Sequence, residues 1–211
     1  MELILLLCFS LFQDKSAEVE KAVQKLDQAK SFSFQLQIRK KGGDLELEGV
    51  LSGEILWLKG EQGEVVRKGA KVLARIDGGE WKKARGQTLK NLDKFRDPRA
   101  FVTKLAKNAG GMKKEKSGRI GKTTVDIYVA SAGKENVKEA FESSGMPLWG
   151  SMIDWTKAKN GVLFYVSRSG KELLRVEVRK GAETPAVVID LSEFNRARIP
   201  KEAGEALSSD P

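Results

Sequence analysis

The sequence predicts an α+β fold built on one antiparallel sheet, and three observations predict it. Residues 17–29 repeat their apolar positions at helical spacing. The segment directly after them switches to strict alternation, which is the period of a strand. Short alternating runs separated by glycine-containing turns then recur up to Leu191, interrupted by a return to helical spacing at residues 89–108.

Before the first helix, Leu3 to Phe12 form an apolar run of ten residues. That is too short to cross a bilayer as a helix, and it matches the apolar centre of an export signal. Residues 1–15 are therefore read as a signal peptide, cleaved between Ser10 and Ala17. The n-region, Met1-Glu2, has no Lys or Arg, and no small-residue cleavage site is evident. The alternatives are a buried strand or helix start, and lipidation of Cys8, although Leu7 departs from the small residue that modification favours. Residues 16–211 are read as a single domain with helical insertions near 89–108 and 134–155.

In Ala17–Ala29, Val19, Ala22, Val23 and Leu26 lie at i, i+3, i+4 and i+7, one face of a helix. Ser31–Lys40 reads SFSFQLQIRK, which puts Phe32, Phe34, Leu36 and Ile38 on one side and Ser33, Gln35, Gln37 and Arg39 on the other. A turn at Lys41–Asp44 leads to a second strand carrying Leu45, Leu47, Gly49 and Leu51. Ile55–Leu58, Glu64–Lys68 and Val72–Ile76 continue the meander, and Asp77-Gly78-Gly79 turns it again. Leu89, Leu92, Phe95, Phe101, Val102 and Leu105 mark the helical return. Within it Asp97-Pro98 supplies an N-cap followed by proline at the first helical position. Residues 116–130 read as a strand or strand pair with alternating Val125, Ile127 and Val129, and residues 133–144 as a helix. Residues 145–159 are irregular and rich in Met and Trp. Residues 161–179 form a hairpin, 186–191 a last strand, and a short helix follows Pro200.

Composition excludes more chemistry than it suggests. The 211 residues hold no histidine and one cysteine, so no Ser-His-Asp or Cys-His system, no histidine-ligated zinc and no intrachain disulfide can form. No catalytic site, metal or cofactor is expected, and the reading is a non-enzymatic protein. Gly118–Thr124 contains GKTT, but Lys116 stands where a phosphate-binding loop needs glycine. The net charge of +9 is spread among acids along the chain, and Lys113-Lys114-Glu115-Lys116 reads as a solvated loop rather than a nucleic-acid site.

This order of elements resembles the lipoprotein-carrier superfamily of the bacterial envelope. That group includes the periplasmic outer-membrane lipoprotein carrier, its outer-membrane acceptor, mycobacterial lipid-carrier lipoproteins and an envelope-stress sensor. The similarity is architectural over residues 17–205, with locally similar pieces at Ser31–Ile38, Ala74–Trp81 and Ile189–Pro200. It implies a strongly curved antiparallel sheet, a half-barrel, with helices lying in its concavity. Segment Leu56–Gly60 lacks the Arg-Pro pair of the carrier's latch strand.

Such a half-barrel must cover one apolar face with helices or with a ligand. The expected concave-face residues are Phe32, Phe34, Leu36, Ile38, Leu45 and Leu47, then Leu56 or Trp57, and Val125, Ile127 and Val129; among them Phe32, Phe34, Leu36, Ile38, Leu47, Trp57, Val125 and Ile127 are the expected ligand-binding residues. The expected covering residues are Phe101 and Leu105, with Trp149, Met152 and Trp155 from the Met/Trp segment, since methionine adapts to variable apolar shapes. The expected function is a periplasmic or secreted monomer that carries a lipid or an acylated protein, with an anionic membrane surface as a further partner. The alternative is a protein-interaction or envelope-stress sensor module of the same fold.

Overall fold

In the computed structural model, described for residues 16–40, 43–84, 95–146, 150, 153, 159–180 and 184–209, eleven strands form one antiparallel sheet. The export-signal reading of residues 1–15 and the proposed covering residues Trp149, Met152 and Trp155 lie outside the described residues.

The chain opens with α1, Ser16–Gln28. The first meander follows as β1 (Ser31–Lys40), β2 (Gly43–Ser52), β3 (Ile55–Gly60), β4 (Gly63–Lys68), β5 (Lys71–Arg75) and β6 (Lys82–Lys83). Helix α2, Pro98–Asn108, leads into the hairpin of β7 (Gly110–Ile120) and β8 (Thr123–Gly133). Helix α3, Lys134–Ser143, precedes β9 (Lys159–Ser167), β10 (Leu173–Arg179), β11 (Pro185–Ser192) and α4 (Lys201–Ser208). Sheet order is β6-β5-β4-β3-β2-β1-β11-β10-β9-β8-β7. The two meanders are therefore joined by pairing of β1 with β11, and the outermost strands β6 and β7 leave the sheet open rather than closed into a barrel.

Alternation in β1 decides the inner face. Antiparallel partners share a face, and the pairs Leu47–Leu36, Leu36–Ile189, Ile189–Val176, Val176–Phe164 and Phe164–Tyr128 draw one apolar row across six strands. All six residues belong to the main core, together with Val19, Ala22, Val23 and Leu26 of α1 and Phe101, Val102 and Leu105 of α2. Register shifts between Leu173 and Arg175 and between Val178 and Arg179 bend the sheet around these helices. Gly49 serves the same packing: a Cβ there would collide with the ring of Phe34, which stacks on Phe95 at 5.7 Å between centroids.

Helix α2 begins as the Asp97-Pro98 dipeptide predicts. The Asp97 carboxylate accepts the Arg99 backbone N–H at 2.9 Å, and Pro98 occupies the first turn. Two segments differ from their sequence reading. Lys113–Lys116 is not a loop but part of the long edge strand β7, because β8 supplies a ladder that local composition does not announce. The meander also has a second core on the opposite face, where α4 covers Val50, Trp57, Val66 and Leu73 with Ala203.

Candidate functional site

The concave face is lined as expected from β1 and β2: Phe32, Phe34, Leu36, Ile38 and Leu47 are all buried in the main core. Phe101 and Leu105 of α2 face them from the covering layer, and Phe101 lies 4.7 Å from the ring of Phe141 on α3. Phe95, Phe164 and Tyr128 are buried in the same volume. The concavity is thus packed, among the described residues, by the protein's own aromatic rings.

Four expected residues stand elsewhere. Val125 and Ile127 pack with Leu163 in a separate cluster on the convex face, with partly buried Val129 against it, and Trp57 packs beneath α4. The phase of alternation was the error. In β8 the inward residues are Tyr128, Ala130 and Ala132, whose small members leave room for the helices. In β3 they are Leu56 and Leu58 rather than Trp57. The Trp57 indole N–H instead donates to Glu64 at 3.0 Å.

A groove remains open between the two covering helices. Arg99 donates to the backbone oxygen of Asp27 at 3.1 Å, and the Thr103 hydroxyl donates to the Asp27 carboxylate at 3.1 Å. These contacts tie the C-terminal end of α1 to the first turns of α2. Along the rest of their length the helices border a cavity of about 690 Å³. Val19, Val23, Ala106, Ala109 and Met112 supply its apolar surface, and Glu20, Gln24, Thr103 and Lys107 its polar rim. Val19 and Val23 belong equally to the main core, so the groove is floored by residues of that core. This volume lies within the range of small-molecule sites. Sequence reasoning missed the groove, although the helical face containing Val19 and Val23 was already assigned to packing.

Further polar contacts pin α1 at both ends. In its first turn the Glu18 carboxylate accepts from the Tyr128 hydroxyl, and in its last turn the Lys25 ammonium donates to the Gly170 carbonyl at 2.6 Å. Nearby, Asp126 accepts from Lys114 at 2.7 Å, Arg168 at 2.8 Å and Ser117 at 2.9 Å. Burial pushes the Asp126 carboxyl upward, but these three donors outweigh it and hold the group down at about 2.

On the convex face, a shallower polar cavity of about 350 Å³ lies over β1, β2 and β11, among Gln35, Gln37, Glu46, Glu48, Lys59 and Asp190. Beside it, Arg175 binds Asp190 at 2.5 Å, and Arg179 binds the buried Glu177 at 2.6 Å. Burial, with the Glu177 charge second, pushes the Tyr165 phenol up to about 12.

No family model and no curated protein sequence matches the chain. Solved structures do. LprF from Mycobacterium bovis superposes with a TM-score of 0.60 at 10% identity, over 90% of this chain and 98% of that one. The lipoprotein LppX from Mycobacterium tuberculosis superposes with a TM-score of 0.55 at 10% identity, over 87% and 96% of the two chains. At that identity the likeness is one of fold alone, shared with LprF and LppX.

Proposed function

We propose that the chain binds a lipid or an acylated ligand, with an acyl chain entering between α1 and α2. The observation that carries this reading is the groove of about 690 Å³, whose apolar lining residues Val19 and Val23 are also part of the half-barrel's core. Each methylene that leaves water contributes about 0.8 kcal/mol, so a single long chain accounts for useful affinity without any charged anchor. The Phe95–Phe34 stack and the Phe101–Phe141 contact are the groups that would repack around a ligand deeper in the concavity. The apolar run Leu3–Phe12 supports export, which makes the site of action periplasmic or extracellular. Among the described residues, no helix is long and apolar enough to cross a membrane.

The test is native mass spectrometry of the exported protein with lipid extraction, followed by titration with a fluorescent long-chain fatty acid. Ala106→Trp fills the groove from its lip and is expected to weaken probe binding at least tenfold while leaving the unfolding midpoint within a few degrees. A protein that carries no lipid and takes up no acyl probe overturns the reading. One observation favours a second reading, a protein-docking module: the concavity is already filled by its own side chains. A clean apo mass together with absent probe uptake would move the weight there.

A further inference from the structure

We propose that the edge strand β7 docks the half-barrel against an anionic lipid surface. The proposal goes beyond the acyl-binding reading and stands on separate observations.

Among the described residues, the outer edge of β7 has no neighbouring strand in the sheet. The segment leading into it lines the groove through Lys107, Ala109, Gly111 and Met112. From there the exposed cations Lys113, Lys116, Arg119 and Lys122 follow along the strand and its turn. Among the described residues none of these, nor Lys107, has an ion-pair partner. Lys114 is different, being neutralised by Asp126. Only Glu115 opposes this positive ribbon. Such charge is held at a cost in self-repulsion that a negative surface relieves.

The form of the edge argues for a membrane rather than an added strand from another protein. Register shifts occur between Gly110 and Lys113 and between Lys114 and Lys116, and bulges of this kind, like edge lysines, block strand addition. Lys113 pairs across the ladder with Val129, and Lys116 with Ile127, so these cations share a face with the convex cluster of Val125, Ile127 and Leu163. Partly exposed Ile120, Val129 and Leu174 extend that cluster. Cations bordering apolar side chains suit a headgroup layer, where charge is attracted and the apolar part is tolerated.

The experiment compares binding of the full-length chain to mixed phosphatidylcholine–phosphatidylglycerol vesicles and to pure phosphatidylcholine vesicles at low ionic strength. The triple variant K113Q/K116Q/K122Q is set against K30Q/K68Q/K83Q, which removes the same charge from exposed positions elsewhere. Each surface cation is worth about fivefold in partitioning, so the ribbon variant should lose about a hundredfold on anionic vesicles and the other far less. Any contribution of residues 1–15 is common to all variants. Equal losses in the two variants, or no preference for anionic vesicles, overturn the proposal. Capture on immobilised polyglutamate without vesicle binding overturns it too, and assigns the ribbon to an acidic protein. Fatty-acid probe binding without vesicles is measured in parallel. Probe uptake with ribbon-independent docking fails this proposal alone, and ribbon-dependent docking without uptake fails the groove reading alone.

Discussion

Asp126 is a buried carboxylate whose three donors come from two separate segments: Lys114 and Ser117 on β7 and Arg168 in the turn after β9. It therefore ties the edge hairpin to the β9–β10 turn. Asp126→Asn keeps the shape and removes the charge, and should cost about 2 kcal/mol at neutral pH, the scale of hydrogen bonds to a charged group. Because the folded-state pKa lies at about 2, below the ordinary 3.8, this stabilisation is complete above the unfolded value and is lost as the pH falls through the folded one. Urea unfolding of wild type and variant should thus differ fully at neutral pH, converge between about pH 4 and pH 2, and coincide below. A difference independent of pH would assign the residue's role to shape rather than charge. Nothing in the sequence around Asp126 marks it. Its alternation with Val125 and Ile127 places it on one face of a strand, and only the neighbouring segments supply its cations.

At the scale of elements, the legible parts were those whose pattern is self-contained. Val19, Ala22, Val23 and Leu26 predict the buried face of α1, and all four are buried. Asp97-Pro98 predicts the start of α2, where the cap forms. The layer formed by α4 was not legible, because an eight-residue helix with one fully buried residue carries little periodic signal. That helix is held to the outer face by Ala203 against the Trp57 cluster and by Arg75, which binds Glu64 at 2.9 Å and also Glu202, and which lies 5.0 Å from the Trp81 ring. Ala203→Asp would bury an unpaired carboxylate against Val66 and Leu73 at a cost of several kcal/mol. The expected outcome is loss of hydrogen-exchange protection in residues 201–208, with protection in β1 and β11 retained. Equal loss in all three elements would show α4 to be integral to the sheet's stability rather than a docked layer.

At the scale of the whole molecule, β1 and β11 are, among the described residues, the only sheet neighbours that bring the two meanders together, and their partners feed a single core. Unfolding should therefore be one cooperative transition. Of the four indoles, Trp57 and Trp81 report on the second core, while far-ultraviolet dichroism reports on all strands, and the two signals should give coincident urea curves. Curves that separate would divide the molecule at the β1–β11 seam. A ligand taken into the groove must raise the shared midpoint in proportion to the logarithm of its concentration.

By itself the sequence determined the type of most elements, β7 apart, the helical and strand faces of α1 and β1, the absence of histidine chemistry, and the order that resembles a half-barrel. Those properties depend on residues close together in the chain. Tertiary structure alone decided which side of β3 and β8 is inner, that α4 makes a second layer, and that a groove opens between α1 and α2. In β3 and β8 both faces are apolar, so alternation sets a period without a phase. The phase is chosen by what packs on each side. Small Ala130 and Ala132 lie beneath the helices, while Val125 and Ile127 pack outward with Leu163, and Trp57 turns to the helix that arrives from the far end of the chain.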